Sequence, residues 1–391
     1  MTPYLASSNY NIICAPYTLI SISCVMGSVH LIILSAMRRI SCWLFPVIGL
    51  FVYTSAISQD SQFSQFYANP HYLNPALTGS HSGTYRVVAN YRDQWDGALN
   101  TPFSTISVGG DLKYDLRNPG SFSKGNDLVA IGIQFFSDRV GLLNYNTTQL
   151  SLFGAFHKLL DKETTQYLSV GLQLGLAQRG ISITNLNFQD QFNGIDQFNF
   201  PTQEILPANS QVAPDVSVGL HYSITPKKNN SYYIGVAYQH WNEPNISFFD
   251  RDLSTTQDFE SFSLDARFTA HASASFPLSP AVSIEPRTLY LSQGQSQSAV
   301  VGVNLRYKLI DSDEFSTHLG LWMRTSRSLS VWQPTDAILS FGIGKNGLLV
   351  GVSYDANLRN LTGTTLGTST LELSISYTGN HENGDKFCPE F

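Results

Sequence analysis

The sequence predicts an all-β fold, a transmembrane antiparallel up-and-down β-barrel of about 14 strands with an N-terminal signal peptide. Three observations carry this expectation. Charge is sparse, apolar and polar residues alternate over segments long enough to cross a bilayer, and an export signal precedes them.

Charged residues make up 13% of the 391-residue chain, about half the roughly 25% usual in soluble domains. The chain holds 24 Phe and 19 Tyr, and its mean hydropathy is close to zero. A barrel wall with an apolar lipid face and a polar lumen face has this balance. A soluble β-sandwich remains compatible with composition alone. The net charge of −6 gives no basic footprint for nucleic acid. Cys14, Cys24 and Cys42 all precede the expected cleavage site, leaving Cys388 alone in the mature chain. No internal disulfide and no cysteine-based metal or redox site is expected.

The export signal begins at Met37-Arg38-Arg39, continues through the apolar run 40–53 and ends in the small residues around Ala56-Ile57-Ser58. A basic start, an apolar centre and small residues before the cut define such a signal. Residues 37–58 are read as signal peptide, cut between Ser58 and Gln59. Residues 1–36 include the uncharged stretch 12–36, long enough to span a membrane. They are read as an extension upstream of the true start rather than as an anchor. Residues 59–83 are read as an N-terminal periplasmic segment and 84–391 as the barrel.

In 168–177, Leu168, Val170, Leu172, Leu174 and Leu176 alternate with Ser169, Gly171, Gln173, Gly175 and Ala177. The stretches 299–309 and 371–377 repeat the pattern, which a helix with its 3.6-residue period cannot give. Such segments fall near 84–95, 102–114, 127–138, 144–157, 165–179, 214–224, 231–241, 264–276, 281–292, 297–309, 316–325, 334–344, 347–357 and 369–378. Most reach the roughly 9–11 residues that a tilted membrane strand needs. The longest connections, 180–213 and 242–263, follow the fifth and seventh segments. A barrel with periplasmic termini puts both outside the cell. The assigned lumen face carries Arg86, Arg92, Arg267, Arg306 and Arg324, and His221, His271 and His318.

Two local patterns tempt other readings. Gly342 to Gly347 spells G-x-G-x-x-G, but a strand follows where a dinucleotide site needs a helix. Asn346-Gly347 reads as a hairpin turn. Asp311-Ser312-Asp313-Glu314 lacks the glycine and distal glutamate of a calcium loop. The histidines have no metal-ligand spacing. No cofactor, metal or catalytic residue is expected.

The most distinctive string opens the mature chain. It runs from Gln59-Asp60-Ser61-Gln62-Phe63-Ser64-Gln65-Phe66-Tyr67-Ala68-Asn69-Pro70 to Tyr72-Leu73-Asn74-Pro75-Ala76-Leu77-Thr78-Gly79, with Tyr91-Arg92-Asp93-Gln94-Trp95 after it. Weaker marks are Ser137-Asp138-Arg139-Val140-Gly141, Ala213-Pro214-Asp215, Gly235 to His240, Gly351 to Asp355, and Cys388-Pro389. This resembles the PorP/SprF family of type IX secretion system outer-membrane proteins over nearly all of 59–391. The chain departs at Leu77, Thr78 and Asp93, where the family carries Tyr, Ala and Asn.

The resemblance implies a non-enzymatic component of the bacterial outer membrane. Such proteins support secretion or surface attachment of exported cargo, in some cases gliding adhesins. Implied partners are outer-membrane lipid, the periplasmic secretion ring or a peptidoglycan-linked lipoprotein, and the cargo. The Asn-Pro pairs forbid regular structure, and the aromatics between them must pack on something. Phe63, Phe66, Tyr67, Asn69, Pro70, Asn74 and Pro75 are therefore expected to contact a partner, serve as a plug edge, or cap the first strand. The alternative function is a diffusion channel, whose lumen arginines would pass anions.

Overall fold

The computed structural model describes residues 60–380, apart from 96–98, 100, 117–126, 142–144, 162–164, 183–185, 205, 207, 227–229, 249–261, 310–314, 329–330 and 359–368. The expected signal peptide, the upstream extension, the acidic run 311–314 and Cys388-Pro389 lie outside the described residues.

Fourteen strands form one closed antiparallel barrel, each bonded to its sequence neighbours, with β1 closing on β14. They are β1 (Tyr85–Gln94), β2 (Phe103–Leu116), β3 (Asp127–Val140), β4 (Tyr145–Asp161), β5 (Gln166–Gly180), β6 (Ser210–Ile224) and β7 (Ser231–Gln239). The second half holds β8 (Arg267–Pro277), β9 (Val282–Gln293), β10 (Ser296–Lys308), β11 (Ser316–Ser328), β12 (Val331–Lys345), β13 (Leu348–Asn357) and β14 (Thr370–Gly379). Closure removes the free edges that a sandwich would keep.

Period-two alternation becomes radial. In β5, Leu168, Val170, Leu172, Leu174 and Leu176 are exposed on the outside, while Ser169 and Gln173 are buried. An exposed apolar exterior around a polar interior suits a lipid-embedded wall. Exposed aromatics mark both margins of this band. Tyr91, Tyr238, Phe268 and Tyr354 sit near one end, and Tyr114, Tyr232, Tyr307 and Tyr377 near the other. Such belts settle at the two membrane–water interfaces. The wall is that of an integral membrane barrel.

The two ends differ. Connections after odd strands define a loop end, which carries both long connections. Those after even strands define a turn end, where β1 starts and β14 stops. The described lysines, Lys113, Lys158, Lys308 and Lys345, all lie within the last four residues of strands that run to the turn end. The stretch 181–209 at the loop end holds three acids and no basic residue.

The Gly342–Gly347 motif is a hairpin as expected, with Asn346 at φ 51 and Gly347 at φ 79 between β12 and β13. Two positive φ values match the turn type that Asn-Gly favours. Several strand ends differ from expectation: β4 and β11 run on to Asp161 and Ser328, β12 starts at Val331, and three others have a local cause. β6 starts at Ser210 rather than at Pro214, because β7 is short and leaves that side of β6 without a strand partner. There, Trp241 N donates to Val216 O at 2.8 Å, and Asn242 Nδ2 donates to Pro214 O at 2.7 Å. A proline tolerates such a place because no strand asks for its N–H. β7 stops at Gln239, where His240 turns left-handed (φ 57). β8 starts at Arg267 rather than at 264, since Leu264 N is held by Pro244 O within the loop at 2.9 Å.

Candidate functional site: the lumen and its plug

Residues 60–83, the segment expected to precede the barrel on its periplasmic side, run inside the barrel. The chain meets wall residues from Asp60 at the loop end to Thr84 at the turn end. Asp60 N donates to Gln293, the last residue of β9 (3.0 Å), and Thr84 N donates to Gly379 O at the end of β14 (2.8 Å).

The prolines set the local path. Pro70 opens the one-turn helix α1 (Pro70–Leu73), and Pro75 opens a 3-10 turn over Pro75–Leu77. Proline suits a first helical position, where no N–H partner exists. Asn74 is extended (φ −160, ψ 121), as pre-proline sterics require, and its Oδ1 accepts from Ala76 N at 2.9 Å. The turns bond the N–H groups of Ala68, Asn69, Leu73, Asn74, Leu77 and Thr78 within the plug itself.

An apolar patch of the wall receives its apolar face. Phe66, Leu73 and Leu77 pack with Leu289, Leu291, Val300, Trp322 and Ile338 of β9–β12. Tyr67 stacks on Trp322 at 5.4 Å, and Tyr72 stacks on Phe136 at 5.1 Å. Each fully buried Leu or Phe stabilises the closed state by about 1.5–3 kcal/mol. Gly171 and Gly219 leave room opposite residues 74–76, since a Cβ on either would collide with that segment. Gly171→Val is therefore expected to expel the plug or block assembly. Loss of heat-modifiable migration, or new conductance in a refolded barrel, would register it. A silent, fully stable variant would contradict the fit.

Polar sockets fix the rest. Glu372 accepts from Ser64 N (2.7 Å), Gln65 N (2.9 Å) and Arg92 Nη1 (2.7 Å). Ser64 Oγ also bonds Asp355 and Arg324. Gln134 Nε2 donates to Asn69 Oδ1 at 2.8 Å. Asn74 Nδ2 donates to Leu220 O at 3.0 Å and meets His271 at 3.1 Å. His157 meets Thr78 O at 2.8 Å, and Asp111 accepts from Gly79 N at 2.5 Å.

All seven expected contact residues lie in the lumen. Phe63, Phe66, Asn69, Pro70, Asn74 and Pro75 are buried, and Tyr67 is nearly so. The five lumen arginines are where the sequence puts them, and each faces a carboxylate. Arg86 pairs with Asp111 (2.6 Å), Arg92 with Glu372 (2.7 Å), Arg267 with Asp60 (3.3 Å), Arg306 with Glu285 (3.8 Å) and Arg324 with Asp336 (3.2 Å). Sequence reasoning missed these carboxylates as sockets. Their signal was an acid at an inward position between apolar neighbours, as at Leu371-Glu372-Leu373.

At the loop end Asp60 is held by charge. Its carboxylate lies 2.7 Å from His240 Nε2 and 3.3 Å from Arg267, and His240 Nδ1 meets Asp215 at 2.7 Å. Burial alone would raise the Asp60 pKa, but His240 and Arg267 outweigh it and hold the carboxyl below its usual range. Burial works against charge on His240, yet Asp60 and Asp215 raise its pKa to about 9. The Asp60 contribution is complete above the unfolded value near 3.8 and fades as pH falls through the lower folded value. The His240 contribution is complete below about 6.5 and fades as pH rises through about 9. The clasp is thus tightest between about pH 4 and 6.5. Limited proteolysis near Asp60 should speed up markedly from pH 6 to pH 10, and a flat profile would show that the clasp does not hold the chain.

Comparison with solved structures returns outer-membrane barrels. The CymD monoaromatic hydrocarbon channel matches with a TM-score of 0.44 and 11% identity, over 81% of this chain and 94% of its own. A TodX monoaromatic hydrocarbon channel mutant gives 0.41 and 10%, over 81% and 95%. The translocator domain of the autotransporter NalP from Neisseria meningitidis gives 0.31 and 12%, over 78% and 93%. No curated protein matches the chain. Residues 55–377 match the family model described as type IX secretion system membrane protein PorP/SprF.

Proposed function

Because the chain belongs to the PorP/SprF family of type IX secretion system membrane proteins, we propose that it serves that system as a plugged scaffold without chemistry of its own. It supports secretion or surface attachment of exported proteins, gliding adhesins among them. The observation that carries this reading is the filled lumen. A diffusion channel needs a continuous wet path, and here the N-terminal segment bonds to or packs on every side of the wall. The arginines that would draw anions face carboxylates instead. Among the described residues the His157–Ser169 pair, 2.6 Å apart, is buried under Thr78, out of a substrate's reach.

In this reading the turn end meets the periplasmic ring or a peptidoglycan-linked lipoprotein. The long connections 180–213 and 242–263 meet the cargo. Phe63, Phe66, Tyr67, Asn69, Pro70, Asn74 and Pro75 act by seating the plug, and touch a partner only when the segment leaves the lumen. Affinity purification from outer-membrane fractions, with partners identified by mass spectrometry, tests the proposal. Recovery of periplasmic ring proteins, a peptidoglycan-binding lipoprotein or a surface adhesin is expected. Recovery of the barrel alone, intact and heat-modifiable, would overturn it.

A further inference from the structure

The plug has a direction. Residues near its start meet only wall residues near the loop end. Asp60 contacts Gln293, which ends β9, Arg267, which begins β8, and His240, which follows β7. Gln62 accepts from Ser298, third in β10, and its carbonyl accepts from Arg92, third from the end of β1. Ser64 and Gln65 bond Glu372, third in β14. Later residues meet the other end. Arg86, second in β1, donates to Leu77 O and Ser80 O, and Lys113 near the end of β2 donates to His81 O. One residue between them breaks the order, since Tyr72 O accepts from Gln239 and Arg267 at the loop end, but from Leu77 to Thr84 the contacts are with the turn end. The segment traverses the barrel once and does not double back to the end where β1 starts.

We infer that the chain crosses the outer membrane through its own lumen before its first strand, so that Asp60 stands at the cell-surface mouth. The orientation follows from the long connections, which outer-membrane barrels place outside, while short turns and the ends of the first and last strands face the periplasm. Asp60 shares its end with the connections 181–209 and 240–266. Its side chain keeps a fifth of its surface open (20%), and it is the outermost described link to the wall. A partner that reads the start of the plug therefore does so from outside the cell. That assigns it to exported, surface-attached polypeptide and excludes the periplasmic machinery. The inference rests on outer-membrane placement and not on the secretion role.

The test uses the full-length protein in intact cells. A short epitope is inserted immediately before Asp60 in one strain, within 195–196 in a second and within 227–228 in a third, and antibody labelling is compared before and after permeabilisation. Heat-modifiable migration verifies folding of each. Labelling on intact cells at both the first and second sites, with the third labelled only after permeabilisation, is expected. Surface labelling at 195–196 with the first site protected until permeabilisation would overturn the threaded path. Surface labelling at 227–228 instead of 195–196 would overturn the orientation while leaving the secretion role untouched. Should the insertion before Asp60 prevent folding, Asp60→Cys in a Cys388→Ser background, probed with a membrane-impermeant maleimide, reads the same side. Its labelling on intact cells supports the path, and labelling only after permeabilisation overturns it.

Discussion

Deleting residues 61–79 should turn a barrel that is silent in planar bilayers into one that passes a large steady current. The lumen of an eight-stranded barrel is just filled by its own side chains, and barrels of 16–18 strands leave an aqueous channel. With fourteen strands, this barrel lies nearer the second case, and its inward face is mostly polar, with apolar residues in the patch of β9–β12 and at Val88, Phe136 and Phe153. Without the plug, Arg92, Glu372 and Asp111 would be wetted rather than paired with its backbone, and Gln134 would lose the Asn69 side chain. The wall pairs Arg86–Asp111 and Arg92–Glu372 stay intact, so the walls can stand. Leu289, Leu291 and Trp322 would lose their cover, so the midpoint of heat-modified migration should also fall. A silent deletion variant with native migration would mean that something besides the plug closes the lumen. The same variant bears on partners. If it still recovers every partner of the full chain, residues 61–79 play no part in contact.

The wall was legible in the sequence and its contents were not. Period two at Leu168–Ala177 is a property of one strand, and burying one face while exposing the other needs no knowledge of the rest of the chain. Length did the further work, since strands of 9 to 17 residues suit a bilayer better than a sandwich. The plug depends on complementarity between distant segments. Phe66, Tyr67 and Leu73 announce that they must be covered, but their cover is Val300, Trp322 and Ile338, apolar residues at inward positions of strands otherwise polar inside. Those exceptions were the available signal. The ionic sockets needed register as well. Arg86 lies directly across from Asp111 and Arg92 from Glu372, pairs that exist only once β1 is aligned with β2 and β14. Pro214 misled for a similar reason, because a proline ends a strand only where a neighbour would require its N–H.

Glu372→Ala should be among the most damaging single substitutions in the barrel, destabilising it by about 3–5 kcal/mol, the range for removing one partner of a buried ion pair. Glu372 is 2% exposed and carries three contacts at once. Arg92, 4% exposed, would remain as a buried charge with only Gln62 O and Gln94 to receive it. The N–H groups of Ser64 and Gln65 would lose their acceptor, at about 1–3 kcal/mol each. The two losses can be separated. The double variant Arg92→Met with Glu372→Leu removes the charge problem and leaves the two orphan N–H groups, so it should recover part of the loss and not all. Full recovery would show that Glu372 serves only Arg92 and that the plug does not lean on it. No recovery would show the reverse, that anchoring Ser64 and Gln65 is the whole of its role. Melting of heat-modifiable migration measures stability, and bilayer conductance reports whether the loosened plug opens a path. Because Ser64 also bonds Asp355 and Arg324, the plug's start should stay seated in the double variant, which is therefore expected to remain silent even where it melts earlier.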